Sequence, residues 1–342
     1  MRKLSLLFPA LLAASLGLAD DHPLPIIDMH LHAFPIAADE VGPTACVPPT
    51  QMPSWDQRRP YPVQLWAHMA PLNCAGGLAS AAPDGEQLMR ASLEVLERRN
   101  IFAVTSGPVP VVDQWREQAP ARIIPAVMFG LDGFGPPASI EDIRAWHAEG
   151  RIQVMGEVLT QYEGIAPDDE RLAPYWALAE ELDLPVALHV GIGPPGTMYI
   201  DSPNYRLELS SALTLDSVLR RHPQLRLYLM HAGFPMLDDL LALMYGHPQV
   251  YVDVGAIAFG VPRAHFHRYL QALVEAGFGN RVMFGSDQMV WPGLIEISLR
   301  AIEDATFLSE EQKRDILYNN AARFLRLDDA EIARHHAGPD SS

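Results

Sequence analysis

Lysine is nearly absent from this sequence. Lys3 and Lys313 are the only two lysines among 342 residues. Lys313 stands in SEEQKRDIL, where helical spacing predicts a solvated surface position. A catalytic lysine that forms an imine, or a carbamylated lysine that joins two metal ions, would have to be Lys313. We therefore disfavour both kinds of chemistry for this protein.

Positive charge as a whole is scarce. The chain has 25 Lys and Arg residues against 42 Asp and Glu residues, which gives a formal net charge of −17 at pH 7. Nucleic acids and anionic membrane surfaces are bound through basic patches. The composition therefore argues against both and favours a small molecule as the partner. The length and the 49% content of hydrophobic residues suit one large domain or two modest ones.

A long apolar run, Leu4 to Leu18, stands at the N-terminus. Arg2 and Lys3 precede it, and the small residues of GLA precede Asp20. This order is typical of a secretory signal peptide, here residues 1–19. A membrane anchor is the alternative, although the run is short for a span and contains a proline. We expect an exported protein, periplasmic or secreted, with no membrane contact after cleavage.

Cysteine is limited to Cys46 and Cys74, which lie in one proline-rich segment. Export would bring both thiols into an oxidising compartment, where disulfides form and persist. A cysteine-bound metal is the weaker interpretation, because neither residue has a Cys or His at close ligand spacing. We expect a Cys46–Cys74 disulfide, whose closed loop would be stabilised by roughly 3–4 kcal/mol.

Eight short β-rich runs alternate with helical patterns along the rest of the chain. They are PIIDMHLH (25–32), IFAVTSG (101–107), RIIPAVMF (122–129), IQVMGEV (152–158), PVALHV (185–190), LRLYLMH (225–231), VYVDVG (250–255) and RVMFGSD (281–287). This alternation predicts a parallel α/β sheet, and eight units close a (β/α)8 TIM barrel. An open doubly wound sheet is the alternative. We expect one barrel over residues 20–330, a polar tail over 331–342, and an oligomeric state that the sequence leaves open.

Two stretches are too long to be simple connections. Residues 33–83 form an insertion after the first predicted strand, and residues 191–212 follow the fifth. Both leave the C-terminal ends of strands, where barrel enzymes build their active sites. We expect both to be loops that cover a substrate.

The first strand carries three titratable residues in an apolar setting. Regular alternation would place Asp28, His30 and His32 on one face and the apolar residues between them on the other. Unpaired polar groups are costly to bury, so this row needs a wet cavity or a metal ion. An exposed edge strand is the plainer alternative. Asp28 would lie deepest and is expected to support a ligand rather than bind the ion.

Four other strands end in residues of metal-ligand type. They are Glu157, His189, His231 and Asp287, on the fourth, fifth, sixth and eighth strands. The C-terminal ends of all strands meet at one rim of a barrel, so these side chains are expected to converge with the two histidines of the first strand. Five strands with this property predict a metal centre in the barrel mouth.

Five segments carry a family resemblance in the expected order. They are DMHLH, GEV, PVALHVG, LYLMHAGFP and VMFGSDQ, and the likeness covers most of residues 24–325. The chain resembles the amidohydrolase superfamily of metal-dependent barrels. It resembles more narrowly the amidohydrolase-related family of aminocarboxymuconate semialdehyde decarboxylase-type enzymes and lactonases. The resemblance implies a divalent metal, most often zinc, and these donor types suit zinc. The implied ligands are His30, His32, His189 and Asp287.

The resemblance also implies roles in catalysis. The metal would lower the pKa of a water molecule, and Asp287 would act as the base that takes its proton. His231 would polarise the substrate carbonyl or bind a second ion. Glu157 would bridge two ions or orient a histidine. We favour one tightly held ion, with a weaker second ion as the alternative.

These observations lead to an expected function. We expect an exported metal-dependent hydrolase that cleaves a small lactone, ester or amide with activated water. A metal-dependent non-oxidative decarboxylase is the alternative, because the family contains both activities. Arg206 is predicted to clamp a substrate carboxylate through its planar fork. Trp66, Phe234 and Trp291 are predicted to line the pocket.

Overall fold

The computed structural model describes residues 23–36, 42–70, 74 and 77–338. The predicted signal peptide, residues 1–19, lies outside this part of the chain. The strands are β1 (Ile26–His32), β2 (Ala45–Val47), β3 (Gly77–Ala79), β4 (Ile101–Gly107), β5 (Ile123–Phe129), β6 (Val154–Val158), β7 (Val186–His189), β8 (Leu227–Met230), β9 (Tyr251–Asp253) and β10 (Val282–Met283).

Helices connect the strands. They are α1 (Tyr61–Met69), α2 (Gly85–Arg98), α3 (Val109–Gln118), α4 (Ile140–Ala148), α5 (Ala173–Glu181), α6 (Asp216–Arg221), α7 (Leu237–Gly246), α8 (Ile257–Gly260), α9 (Arg263–Glu275), α10 (Gly293–Glu303), α11 (Glu310–Arg314), α12 (Asn320–Leu325) and α13 (Asp329–Ala337), with a π-helical turn at Asp315–Asn319. In the described residues, no helix combines the length and apolar character needed to cross a membrane.

Eight parallel strands form the barrel. Their spatial order is β1-β4-β5-β6-β7-β8-β9-β10, which is also their order along the chain. Two backbone hydrogen bonds join the last strand region to the first: Met29 N donates to Phe284 O at 2.9 Å, and Asp287 N donates to His30 O at 2.7 Å. The predicted α/β TIM barrel is confirmed, and each predicted run contains one of its strands.

The interior of the barrel corrects one expectation about β1. Ile27 and Met29 pack inside the barrel with residues such as Val104 and Ala187, whereas Leu31 packs in the outer core between strands and helices. The pairing of β1 with β4 shifts register between Asp28 and Leu31. An irregularity of this kind re-aims the side chains that follow it. The expected strict alternation over the strand is therefore wrong, and the shift brings His30 and His32 inward beyond an apolar layer.

The C-terminal segment is attached to the barrel rather than extended from it. Helix α13 begins after Asp328, which accepts a hydrogen bond from Glu331 N at 2.7 Å. His335 stacks on Phe102 of β4 with ring centroids 3.5 Å apart, and its carbonyl accepts from Asn100 Nδ2 at 3.1 Å. The boundary predicted at residue 330 falls inside this helix. Residues 331–337 therefore belong to the barrel and do not form a separate tail.

The insertion after β1 has its own structure. It contains helix α1 and the antiparallel pair β2 and β3, in which Cys46 faces Leu78. Cys46 and Cys74 form a disulfide with Cα atoms 5.6 Å apart, as predicted. The insertion also touches the loop after β7, because Tyr61 Oη donates to Pro195 O at 2.5 Å. The two long stretches thus meet above the barrel.

Candidate metal centre

His30 is held rigidly at the centre of the barrel mouth. Its Nδ1 is 3.1 Å from Asp253 Oδ2, and the residue is fully buried. A Cβ atom on Gly255 would lie 2.5 Å from His30 Nδ1, and one on Gly285 would lie 2.8 Å from His30 Cβ. Glycine at these two positions therefore makes room for the ring. The outward Nε2 has no hydrogen-bond partner among the described residues and lies 3.6 Å from Glu157 Oε2.

His32 is oriented by a neighbouring hydroxyl and by the backbone. Its Nδ1 is 3.1 Å from Ser106 Oγ, and its Nε2 is 3.0 Å from Asp287 Oδ1. The side chain of Gln288 accepts from His32 N at 2.8 Å and donates to His32 O at 2.6 Å. These bonds fix His32 and the residue after Asp287 to each other across the closing seam of the barrel.

Glu157, at the end of β6, faces two pairs of histidines. Its Oε2 is 3.4 Å from His32 Nε2 and 3.6 Å from His30 Nε2. Its Oε1 is 2.7 Å from His189 Nδ1 and 3.9 Å from His231 Nε2. A single carboxylate therefore stands between all four imidazole rings.

His231 has a constrained backbone and a defined ring orientation. It adopts φ 62°, a left-handed conformation that L-residues other than glycine seldom adopt. Its Nδ1 lies 3.0 Å from Gly255 O, and a carbonyl oxygen accepts, so Nδ1 carries a hydrogen. In the neutral ring Nε2 then keeps its lone pair, as a metal ligand does. In the protonated ring Nε2 donates, as a group that polarises a carbonyl does.

Two sets of side chains could hold a metal ion within the described residues. One set is His30, His32 and Asp287, and the other is His30, Glu157 and His231; in each, the ligand atoms lie within 4.8 Å of one another. Imidazole and carboxylate are the donors that divalent zinc prefers. The unpartnered Nε2 atoms of His30 and His189 would be costly to bury without a ligand. The residues present therefore fit a divalent cation.

The electrostatics of the cluster also favour a cation. Burial lowers the pKa of His30, but Asp287 and Asp253 outweigh this effect and raise that pKa well above its ordinary value. Burial raises the pKa of Asp287, but His30 and His32 outweigh this effect and bring it to about 2. Burial and the neighbouring His231 lower the pKa of His189 to about 4, so its ring is neutral at pH 7. Ionised carboxylates and the neutral His189 are forms that bind metals, whereas His30 would release its proton when an ion binds.

Six residues on five strands or strand ends therefore form what we call the metal floor: His30, His32, Glu157, His189, His231 and Asp287. All six were predicted from the sequence to meet here. His189 belongs to neither three-residue donor set, because its Nδ1 is 2.7 Å from Glu157 and 2.9 Å from His231. Asp28 accepts from the backbone N of His30 and of Ser286, so it braces the strands and is not in a donor set.

Asp253 is the functional residue that the sequence interpretation missed. It ends β9, in VYVDVG, so it has the same position on its strand as the ligand candidates have on theirs. Its Oδ2 holds His30 Nδ1, and its Oδ1 accepts from Gly255 N at 2.7 Å and His231 N at 3.2 Å. One carboxylate thus positions two members of the metal floor. The signal was an acidic residue near the end of the seventh predicted strand, VYVDVG.

A large cavity opens above the metal floor. Its volume is about 920 Å³, and Glu157, His231 and Asp287 reach its base. Three segments, 45–53, 65–69 and 192–201, line its sides, and we call them the loop wall. Trp66, Phe234 and Trp291 line it as predicted. The position of the indole of Trp291 is fixed, because its Nε1 donates to Pro43 O at 2.7 Å.

Arg206 does not reach this cavity. Its guanidinium pairs with Glu208, at 2.5 Å between Nη2 and Oε1, and both side chains are more than half exposed. The loop after β7 turns the side chain outward in a 3₁₀ segment, Leu207–Ser210. The structure thus places Arg206 outside the cavity lining, and the carboxylate clamp stays a prediction.

Several solved structures share the barrel fold of this chain. An uncharacterised TIM-barrel protein from Bordetella bronchiseptica has a TM-score of 0.58 and 19% identity, with 91% of this chain and 100% of that chain covered. A probable 2-pyrone-4,6-dicarboxylic acid hydrolase from Acinetobacter baumannii has a TM-score of 0.56 and 16% identity, with 89% and 100% covered. A 4-oxalomesaconate hydratase from Rhodopseudomonas palustris has a TM-score of 0.54 and 16% identity, with 90% and 98% covered. Likenesses at this identity show the fold alone.

The family is shown by a comparison of sequence. No curated protein matches the chain. The family model described as amidohydrolase matches residues 27–327, a span that begins in β1 and ends after α12. The match therefore includes every strand of the barrel and every residue of the metal floor. On this ground the chain belongs to the amidohydrolase family.

Proposed function

We propose that the protein is an exported metal-dependent hydrolase that cleaves a small lactone, ester or amide. The observation that carries the proposal is the position of Asp287. Its Oδ1 lies 3.0 Å from His32 Nε2 and 3.6 Å from His30 Nε2, while its side chain also reaches the cavity. An ionised carboxylate between the metal ligands and the substrate space is placed to move a proton.

The bound ion would supply Lewis acidity, which lowers the pKa of a nearby water molecule and polarises a carbonyl. Asp287 then accepts the proton of the attacking water and returns it to the leaving group. His231, at the base of the cavity, either completes the ligand set or donates to the carbonyl oxygen from Nε2. Asp253 holds His30 and the backbone of His231 in place throughout, because it contacts both.

We propose that one zinc ion is held tightly. Both donor sets contain His30, and Asp253 occupies its Nδ1, so only Nε2 is left to serve either set. One imidazole nitrogen binds one ion. A second, weaker ion is the alternative. It is favoured because one Glu157 oxygen faces His30 and His32 while the other faces His189 and His231. Metal content after dialysis tests this choice, with Glu157→Gln beside the wild type. Two equivalents that fall to one in the variant would establish a bridged pair.

Export is proposed from two features. The N-terminal residues have the order of a signal peptide, and the Cys46–Cys74 disulfide suits an oxidising compartment. The N-terminal sequence of the mature protein tests the first feature. A chain that keeps residues 1–19 in the mature protein would contradict export by cleavage.

The reaction is tested on purified protein reconstituted with zinc. Neutral lactones and esters are screened by acid release, and hydroxybenzoate-type acids by carbon dioxide release. We expect acid release that is abolished by a chelator and restored by zinc. Carbon dioxide release without acid release would establish a decarboxylase and overturn the proposal.

A further inference from the structure

Among the described residues, no Lys or Arg lines the cavity above the metal floor. Its lining contains three carboxylates, Glu157, Asp201 and Asp287, and three histidines, His32, His68 and His231. The stretches outside the described residues within the barrel domain are AADEV (37–41), PLN (71–73) and AG (75–76), and none of them contains Lys or Arg. These three stretches therefore have no Lys or Arg side chain that could enter the cavity.

The arginines of the two long stretches are turned away from the cavity. Arg58 is bound by Asp56, at 2.6 Å between Nη2 and Oδ2, and its side chain is 87% exposed. Arg59 is exposed, and Arg206 is paired with Glu208. Arg263, near the base of α8, donates to Ala258 O at 2.8 Å and to Ile297 O. None of these guanidinium groups belongs to the cavity lining.

The rest of the lining is apolar and aromatic. Phe34 stacks on His32 at 4.8 Å, and Phe134 stacks on Tyr162 at 4.4 Å, between ring centroids. Burial raises the pKa of Tyr162 well above its ordinary value, so its hydroxyl stays neutral. Such a wall gains free energy by burying apolar surface and offers a substrate anion no charged partner.

A bound divalent ion would not make the net charge of the cavity lining positive. Its two positive charges would stand against the three carboxylates of the lining, which leaves one negative charge when the lining histidines are neutral. An anionic group beyond reach of the ion would be desolvated without a partner, and that is costly. Related barrels whose names specify dicarboxylic acid or dihydroxybenzoate substrates share only the fold with this chain.

From this arrangement we infer that the substrate is a neutral, largely apolar carbonyl compound with no carboxylate, such as an aryl or alkyl lactone. The inference rests on the proposed function for the bond that is cleaved, but it concerns the charge of the ligand. It concerns carboxylates that the ion does not reach, because a carboxylate bound to the ion would have a cationic partner. The hydrolytic product, in contrast, is an acid, and the net negative charge of the cavity favours its release.

The test compares matched ligands that differ by one carboxylate. Binding of 1-tetralone, a ketone that cannot be hydrolysed, and of a tetralone carboxylate is measured by calorimetry on zinc-loaded protein at 0.15 M salt. We expect the neutral ketone to bind at least tenfold more tightly. Equal or tighter binding of the carboxylate overturns the inference. Since neither ketone is turned over, this result is independent of whether the protein is a hydrolase.

Hydrolysis of dihydrocoumarin and of its ring carboxylate is measured alongside. If the carboxylate has the higher kcat/KM, the proposed function stands and the inference fails. If neither lactone is cleaved while the ketone preference is seen, the proposed function fails and the inference stands. The two failures are thereby distinguishable.

A variant supplies the missing cation. Ile200 lies in the loop wall, is partly exposed and belongs to no element of the barrel. Ile200→Arg should shift the binding ratio by about tenfold or more towards the carboxylate, as expected for a partly buried charge pair. Ile200→Gln, of similar length and no charge, should keep the wild-type ratio. An unchanged ratio in Ile200→Arg, with the fold intact by circular dichroism, overturns the inference.

Discussion

The metal floor and the loop wall are built from different parts of the fold. The floor consists of polar side chains at strand ends, fixed by barrel hydrogen bonds such as Asp287 N to His30 O at 2.7 Å. The wall consists of mostly apolar side chains on segments outside the barrel strands. The Cys46–Cys74 disulfide and contacts such as Tyr199 to Trp55, with ring centroids 4.8 Å apart, tie these segments to their neighbours. The floor sets the kind of chemistry, and the wall selects the molecule that undergoes it.

This division predicts that the two regions can be damaged separately. A change in the floor should alter metal binding or turnover and leave the apolar cavity intact. A change in the wall should alter stability or ligand preference and leave the metal in place. The same fold can therefore keep one reaction type while its loops change substrate, as barrels of this kind allow.

The largest expected effect is on turnover, in the floor. Asp287→Asn keeps an oxygen that can bind a metal but cannot accept a proton near neutral pH. We expect kcat to fall by about 10²–10⁴-fold, with zinc content reduced far less. The matched control is Asp201→Asn, a carboxylate of the wall, which should keep at least a tenth of wild-type kcat. An Asp287→Asn protein with most of its kcat would remove this residue from the mechanism.

The second largest expected effect is on the free energy of unfolding and comes from the disulfide beside the loop wall. The Cys46–Cys74 bond links residues 28 positions apart, and a loop of this length is stabilised by roughly 3–4 kcal/mol in the chain-entropy account. Double replacement by serine should lower the free energy of unfolding in urea by about that amount. Zinc content of the folded variant should stay at the wild-type level, because neither cysteine belongs to the metal floor. A loss below about 1 kcal/mol would show that the bond does not tie the wall to the cooperative fold.

A smaller effect is expected from the residue beneath the floor. Asp253→Asn weakens the hold on His30 Nδ1 without touching the cavity. Loss of an orienting carboxylate typically costs 10–100-fold in metal affinity. Competition with a chelator should show a loss of about that size. Affinity within twofold of the wild type would mean that barrel packing alone positions His30.

The smallest effect is expected at Arg206. Its guanidinium pairs with Glu208 in solvent, and exposed pairs contribute only about 0–1 kcal/mol. Arg206→Ala should therefore change kcat/KM by less than about twofold for neutral and for carboxylated substrates. A selective loss for carboxylated substrates would show that the loop after β7 rearranges on binding and brings Arg206 inward.

The sequence predicted the floor better than the wall for a physical reason. Glu157, His189 and Asp287 end apolar runs, and a parallel barrel brings all such ends to one rim whatever the loops do. Asp253 also stands at the end of a strand, so its place at this rim was predictable in the same way. The register shift within β1 was not predictable, because alternation assumes a regular ladder and nothing in IIDMHLH marks the irregularity.

The wall was predicted less completely because loop side chains have no such common reference. Arg206 stands in the expected loop, but its direction depends on a local turn that brings it to Glu208, two residues away. Trp66 and Trp291 are far apart in sequence and line the same cavity because the insertion folds back over the mouth. The disulfide was predictable because two cysteines allow only one pairing within the chain.

The closing seam of the barrel has a consequence for when the protein acquires its metal. Ser286 N donates to an Asp28 oxygen, and these residues are 258 positions apart in the sequence. The first and last strand regions, which close the barrel, and the metal-ligand candidates on them therefore come from opposite ends of the chain. Asp287 cannot join His30 until nearly the whole polypeptide has been made and folded. If the chain is exported in an unfolded state, it would complete this site only on the far side of the membrane. Metal availability where folding finishes would then decide which ion occupies the protein.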